Sequence, residues 1–196
     1  MAPETKSRIV ALALVIGAVW AVSLVALSYG DALIYRLALV PRRIDGLPGI
    51  VGMPFVHGSF GHLMSNTMSL LVFGAFLLFR GVRYYVMVSL GIVGLGGVLL
   101  WLFGREAAHI GASGVVFGYF GFLLTRGVYE RSFQSVAVAG LVVLLYGGMI
   151  WGVLPGADGV SWDGHLAGLV AGIVVARVAF GMERRRRQPA RDPGFG

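Results

Sequence analysis

The sequence predicts an all-α membrane protein: a bundle of six transmembrane helices whose fourth member is short and buried among the others. Three observations carry that expectation. Hydrophobic residues make up 57% of the 196-residue chain and charged ones only 13%, well outside the composition of soluble domains. Six apolar runs approach the ~20 residues that a bilayer crossing demands. Glycine fills 31 positions, about twice its ordinary ~7% share, which suits helices that must approach closely where lipid gives no hydrophobic drive for association.

Residues 1–7 form a short N-terminal segment, and residues 8–182 hold the six runs in one domain. The first run, Arg8 to Tyr29, is read as a retained span. It is long, and no small-x-small cleavage site follows it. A long outer connection, Gly30 to Gly61, comes next. Within it, Ala32 to Val40 is apolar around a single Arg36 and stops at Pro41. That stretch is too short to cross, so it is expected to lie in the outer interface or to dip partway. The second and third runs are Leu63 to Phe79 and Tyr84 to Phe103.

The fourth run is anomalous. Ser113 to Thr125 offers 13 residues, about 20 Å of helix against a hydrocarbon core of about 30 Å. The backbone before it, Ala107 to Ala112, is therefore expected to be non-helical at membrane depth, which is tolerated only inside protein or beside a hydrated cavity. Phe133 to Leu154 and His165 to Met182 complete the set. They are joined by an outer loop, Pro155 to Gly164, made acidic by Asp158 and Asp163. Residues 183–196 form a basic tail, expected to be disordered from Gln188 to Gly196.

Charge sets the orientation. With the N-terminus inside, the inner ends collect Lys6, Arg8, Arg80, Arg83, Arg126, Arg131, Arg177, Arg184 to Arg187 and Arg191, leaving Arg36, Arg42, Arg43 and Arg105 outside. Both termini are thus expected in the cytoplasm, in a cell (inner) membrane. The net charge of +7 does not point to nucleic acid, because the basic residues flank apolar runs without interleaved aromatics. The absence of cysteine removes thiol catalysis, disulfides and thiolate metal sites together.

The chemistry-bearing residues gather on one side. His57, His62, His109 and His165 all fall at outer ends under this topology. Ser113 opens the fourth run and His165 the sixth, so a hydroxyl and an imidazole occupy corresponding ends of two helices running in the same direction. Gly114, Gly118 and Gly121 on one, and Gly168 and Gly172 on the other, predict close contact between them. Taken alone, Ser113 is a good helix N-cap and His165 an interfacial hydrogen-bonding residue. Together they make a nucleophile and its general base. His57-x-x-x-x-His62-x-x-x-Asn66 adds donors for an oxyanion, with His62 and Asn66 on one helical face. The same two histidines as a metal pair find no H-E-x-x-H to support them.

Gly111-Ala112-Ser113-Gly114, the His62 and Asn66 pair, and His165-Leu166-Ala167-Gly168-x-x-x-Gly172 resemble the signature of rhomboid intramembrane serine proteases, in the same order and along the whole chain. The resemblance implies a Ser-His dyad with no third carboxylate, Ser113 being nucleophile and His165 base and acid. It implies an oxyanion site from His62, Asn66 and the Ser113 amide, with Gly111 shaping the turn; His57, Gly114, Gly168 and Gly172 support it. Asp163 is left to a role on the loop surface. The substrate implied is a single-pass membrane protein cut near the outer boundary, with the lipid bilayer the other partner; no cofactor, metal or nucleic acid is called for. Two features depart from the family pattern. No tryptophan is followed by arginine in the first outer loop, and Phe117 stands where a tyrosine often stacks on the histidine. An inactive rhomboid-like binding protein and a small transporter are the competing classes. The first would lack the serine or the histidine, and the second would carry charge deep within its spans.

Overall fold

The computed structural model describes residues 2–156 and 159–187. Asp158 and the tail from Gln188 lie outside the described residues. Helix α1, Pro3–Tyr29, starts earlier than the apolar run because Pro3 suits a first helical position and Glu4 complements the helix dipole. It ends at Gly30, where φ is +78°.

The outer connection folds back on itself. A seven-residue helix α2, Asp31–Leu37, buries nothing, but Ala38 and Leu39 behind it are fully enclosed. The apolar stretch from Ala32 to Val40 is therefore split between a surface turn and a core strap. Leu39 packs with Met53, Leu100 and Ala167, and pairs by two backbone hydrogen bonds with His109. Close approach is possible because Gly46 and Gly49 face backbone: a methyl group on either would overlap Val40, or Ala38 and Leu39. Helix α3, Gly49–Gly52, and a turn at Met53–Phe55 lead into α4, Phe60–Leu78, capped by the Ser59 hydroxyl.

Helix α5, Val82–Phe103, is followed by irregular backbone and then α6, Ser113–Glu130. Helix α7, Phe133–Tyr146, tightens into a 3-10 segment over Gly147–Val153, and α8 covers Trp162–Arg187. Five segments, namely α1, α4, α5, α7 with its continuation, and α8, are long and apolar enough to cross a membrane. Enclosed by them, α6 buries Val115 to Leu123 without interruption. The all-α bundle with an internal helix is thus observed, and the described residues contain no strand.

The sequence boundary of α6 at Thr125 is corrected: the helix continues through Glu130. Eighteen residues span about 27 Å, so length alone does not sink its start. Arg126, the residue that ended the apolar run, is carried by partners. It pairs with Glu130 one turn on and lies 4.9 Å from the Tyr84 ring centroid. Arg80 joins Glu130 at 3.3 Å and Glu183 at 2.8 Å. A paired charge can extend a helix that an unpaired one would stop.

Helices α6 and α8 meet backbone to backbone. A methyl group on Gly168 would overlap the Gly114 carbonyl, and one on Gly172 would overlap the Gly118 carbonyl. No side chain fits between them, and this contact brings the outer ends of the two helices together.

Candidate functional site

Ser113 is the first residue of α6, but its hydroxyl does not cap the helix. Ala112 holds the cap position without a side-chain bond, which corrects the capping expectation. The Ser113 Oγ instead lies 2.9 Å from His165 Nε2. His165 is the fourth residue of α8 rather than its opening one, since the helix begins at Trp162. Its Nδ1 lies 2.8 Å from the Gly152 carbonyl oxygen. A carbonyl can only accept, so Nδ1 carries the hydrogen and Nε2 presents its lone pair to the serine hydroxyl. The Phe117 ring, one turn into α6, stacks on the imidazole with centroids 4.2 Å apart and planes 9° from parallel.

The turn before Ser113 is non-helical, and the protein supplies its hydrogen bonds. His109 pairs with Leu39, the Gly111 amide donates to the Met53 carbonyl at 2.9 Å, and the Ala112 amide donates to His57 Nε2 at 3.3 Å. Gly111 has φ of +102°, and a methyl group there would meet the His62 ring. Only glycine satisfies both conditions. Irregular backbone in this position is stable because every one of these amides has a protein acceptor.

His57 lies beneath this turn, fully buried, and does not line the cavity. With Nε2 accepting from Ala112, its Nδ1 donates to the Ser23 Oγ at 2.9 Å, which donates onward to the Phe55 carbonyl at 2.8 Å. Burial, aided by the neighbouring His62, pushes the His57 imidazole down to about 4. It stays neutral at ordinary pH, as its acceptor role requires. Both ring nitrogens are engaged, so its contact with His62 is an edge-on ring contact at 4.9 Å.

Ser113 and His165 open into a cavity of about 710 Å³ that also touches His62, Asn66, Phe117, Tyr146 and Met149. Asn66 is buried, and among the described residues its Nδ2 has no hydrogen-bond partner. A donor left unpaired beside a serine and an imidazole is an exception that calls for a reason. Of the glycines singled out in the sequence, Gly114, Gly168 and Gly172 act through the α6 and α8 contact rather than in the cavity.

Asp163 is not on a loop surface, contrary to the sequence expectation. It is buried at the start of α8, accepts from the Arg105 amide at 2.7 Å, and lies 3.7 Å from His109 Nε2. His109 in turn bonds the Ser161 hydroxyl at 2.7 Å. This cluster ties the loop before Ser113 to the start of α8. The first outer loop is held without a Trp-Arg pair: Arg42 donates to the Gly104 carbonyl at 2.7 Å, and Trp101 Nε1 to the Arg43 carbonyl at 2.9 Å.

Sequence reasoning missed two contributors. Ser23 was visible as a hydroxyl within an apolar run, and that polarity could have flagged it. Gly152 acts through its carbonyl, which no side-chain pattern reveals.

A family model described as the Rhomboid domain matches residues 46–182. An uncharacterized protein of Mycobacterium tuberculosis is 36% identical over 190 residues, covering 88% of this chain and 79% of that protein. One from Mycobacterium leprae is 35% identical over 154 residues, covering 74% and 61%. RHOMBOID-like protein 4 of Arabidopsis thaliana is 29% identical over 171 residues, covering 79% of this chain and 41% of the plant protein.

Proposed function

The chain belongs to the rhomboid family, and on that footing we propose that it is an intramembrane serine endopeptidase acting through Ser113 and His165. The observation that carries this reading is the 2.9 Å contact between Ser113 Oγ and a His165 Nε2 free to accept. A serine hydroxyl is a weak nucleophile until a base takes its proton in the transition state.

The reaction follows from the geometry. Ser113 Oγ attacks the scissile carbonyl carbon as its proton passes to His165 Nε2, and the carbonyl oxygen becomes an oxyanion. Asn66 Nδ2, a His62 ring N–H and the unclaimed Ser113 amide at the start of α6 are the donors available to it. The positive end of the α6 dipole favours the same charge. Collapse expels the amine, which takes the proton back from His165. Water, deprotonated by the same nitrogen, then hydrolyses the acyl-serine and restores both groups. Phe117, stacked on the ring, limits the imidazole to motion in its own plane.

The proposed substrate is a single-pass membrane protein. Its helix must unwind before a carbonyl can reach Ser113, so segments with Gly, Ala or Pro near that depth should be cut faster. Equal rates across a series of strengthened substrate helices would contradict this. The proposed location is a cell membrane with both termini in the cytoplasm, a reading supported by the basic residues gathered at one set of helix ends.

Purified full-length protein in detergent should cleave a membrane-anchored reporter, and Ser113→Ala and His165→Ala should each abolish cleavage. A Ser113→Ala protein that cleaved like its parent would remove the assignment.

A further inference from the structure

Serine hydrolases that rely on an imidazole need something to hold its second nitrogen, and among the described residues no carboxylate does so. Asp163, two residues before His165, is turned to Arg105 and His109. The group that faces His165 Nδ1 is the carbonyl oxygen of Gly152, 2.8 Å away. Resting on the reading of Ser113 and His165 as nucleophile and base, we propose that the Gly152 carbonyl is the positioning group of the pair. It selects the Nδ1–H tautomer and fixes the ring in the plane that points Nε2 at Ser113.

Three features of the chain make that carbonyl available. First, α7 tightens to a 3-10 segment over Gly147–Val153, a pattern in which the Gly152 carbonyl would be claimed by the amide of residue 155. That residue is Pro155, which has no N–H. Second, Leu154 is extended, with φ of −95° and ψ of 142°, so the chain turns away, and among the described residues no backbone amide reaches the Gly152 oxygen. Third, residue 152 must be small. A Cβ there would come within 2.8 Å of Phe117 Cζ and 3.4 Å of His165 Nδ1, pushing against the ring stack and the hydrogen bond at once.

The imidazole is therefore held on three sides by two elements: by α6, through Phe117 on its face and Ser113 at Nε2, and by the continuation of α7 at Nδ1. A neutral carbonyl differs from a carboxylate in adding no buried charge, and thus no desolvation penalty of that size. It still stabilises the imidazolium formed during attack, because a hydrogen bond strengthens when its donor becomes charged.

The test uses full-length protein labelled with ¹⁵N at histidine. The four histidine signals are assigned by single substitutions, with His165→Gln identifying the one of interest. In the parent at neutral pH, His165 should show a protonated Nδ1 and an unprotonated Nε2, a measurement that needs no protease activity. An Nε2–H tautomer, or an even mixture of the two, would overturn the proposal whatever the protein's activity. Gly152→Ala should turn the His165 signal into a tautomer mixture and lower kcat by about 10- to 100-fold, with KM within about twofold. Gly148→Ala, in the same 3-10 segment but with open space around its Cβ, should match the parent in both readouts. A Gly152→Ala protein with the parent's tautomer and the parent's kcat would also overturn it. A parent with the Nδ1–H tautomer that cleaves no reporter would instead count against the protease reading and leave the positioning geometry standing.

Discussion

Asn66 is the residue at which stability and function should part. A buried, unpartnered amide nitrogen costs folding free energy, and an apolar residue of similar size removes that cost. Asn66→Leu should therefore hold or raise the thermal midpoint in detergent while kcat falls by about 10²–10³-fold, the usual loss for one oxyanion donor. A variant that melted early and lost activity in proportion would make Asn66 a structural residue. His57 gives a pH signature. Its folded-state value of about 4 lies below the ordinary 6.5, so below 6.5 the unfolded chain binds the proton that the folded one refuses. Stability from this site is complete above 6.5 and declines toward pH 4, by at most about 3 kcal/mol. Melting curves between pH 7 and 4.5 should show that decline in the parent and a flatter profile in His57→Gln. An unchanged slope would mean that His57 does not hold the Ala112 turn. At this scale Ser113, His165, His62 and Asn66 were legible in the sequence as candidates because the chemistry they offer is in their side chains, while Gly111 and Phe117 were reached only through the motif resemblance. Gly152 was not legible, because what it offers is backbone.

Among elements, the pairing of α6 with α8 should be the least tolerant of change. A methyl group at Gly168 or Gly172 meets a carbonyl of α6 and must push the helices apart, whereas Gly181, on the same helix, has open space around its Cβ. Gly168→Ala and Gly172→Ala should lower stability by at least about 1–3 kcal/mol. Gly181→Ala should be neutral or gain up to about 1 kcal/mol from helix propensity. Thermal unfolding of the three variants decides it, and equal midpoints would refute close backbone contact. The glycine spacing that predicted this contact is a local pattern, and so it could be read directly. The end of α6 could not be read that way. Arg126 looked like a terminus because its partners, Glu130 and the Tyr84 ring, lie a turn away and on another helix. The outer loop behaved similarly: the apolar stretch around Arg36 did not reveal that Leu39 would pair with His109, 70 positions later.

For the whole molecule, the expected orientation carries its own test. Fusing a reporter that folds only in the cytoplasm to either terminus should give active fusions, and a reporter active only outside should work when inserted near Gly159. The opposite pattern would invert the topology, and with it the face on which Ser113 meets substrate. Composition and hydrophobic runs by themselves determined an all-α membrane bundle, since burial in lipid leaves helices as the available solution for a chain with 20-residue apolar runs. Spacing by itself determined the serine, the histidine and the glycine faces between them. Tertiary structure alone decided how the site is held. It enclosed Asp163 against Arg105 and His109 instead of exposing it, set His57 under the Ser113 turn, and brought the Gly152 carbonyl to His165. Each of these joins residues distant in the chain through a backbone group or a buried hydrogen bond, and such contacts leave no periodic trace in a sequence.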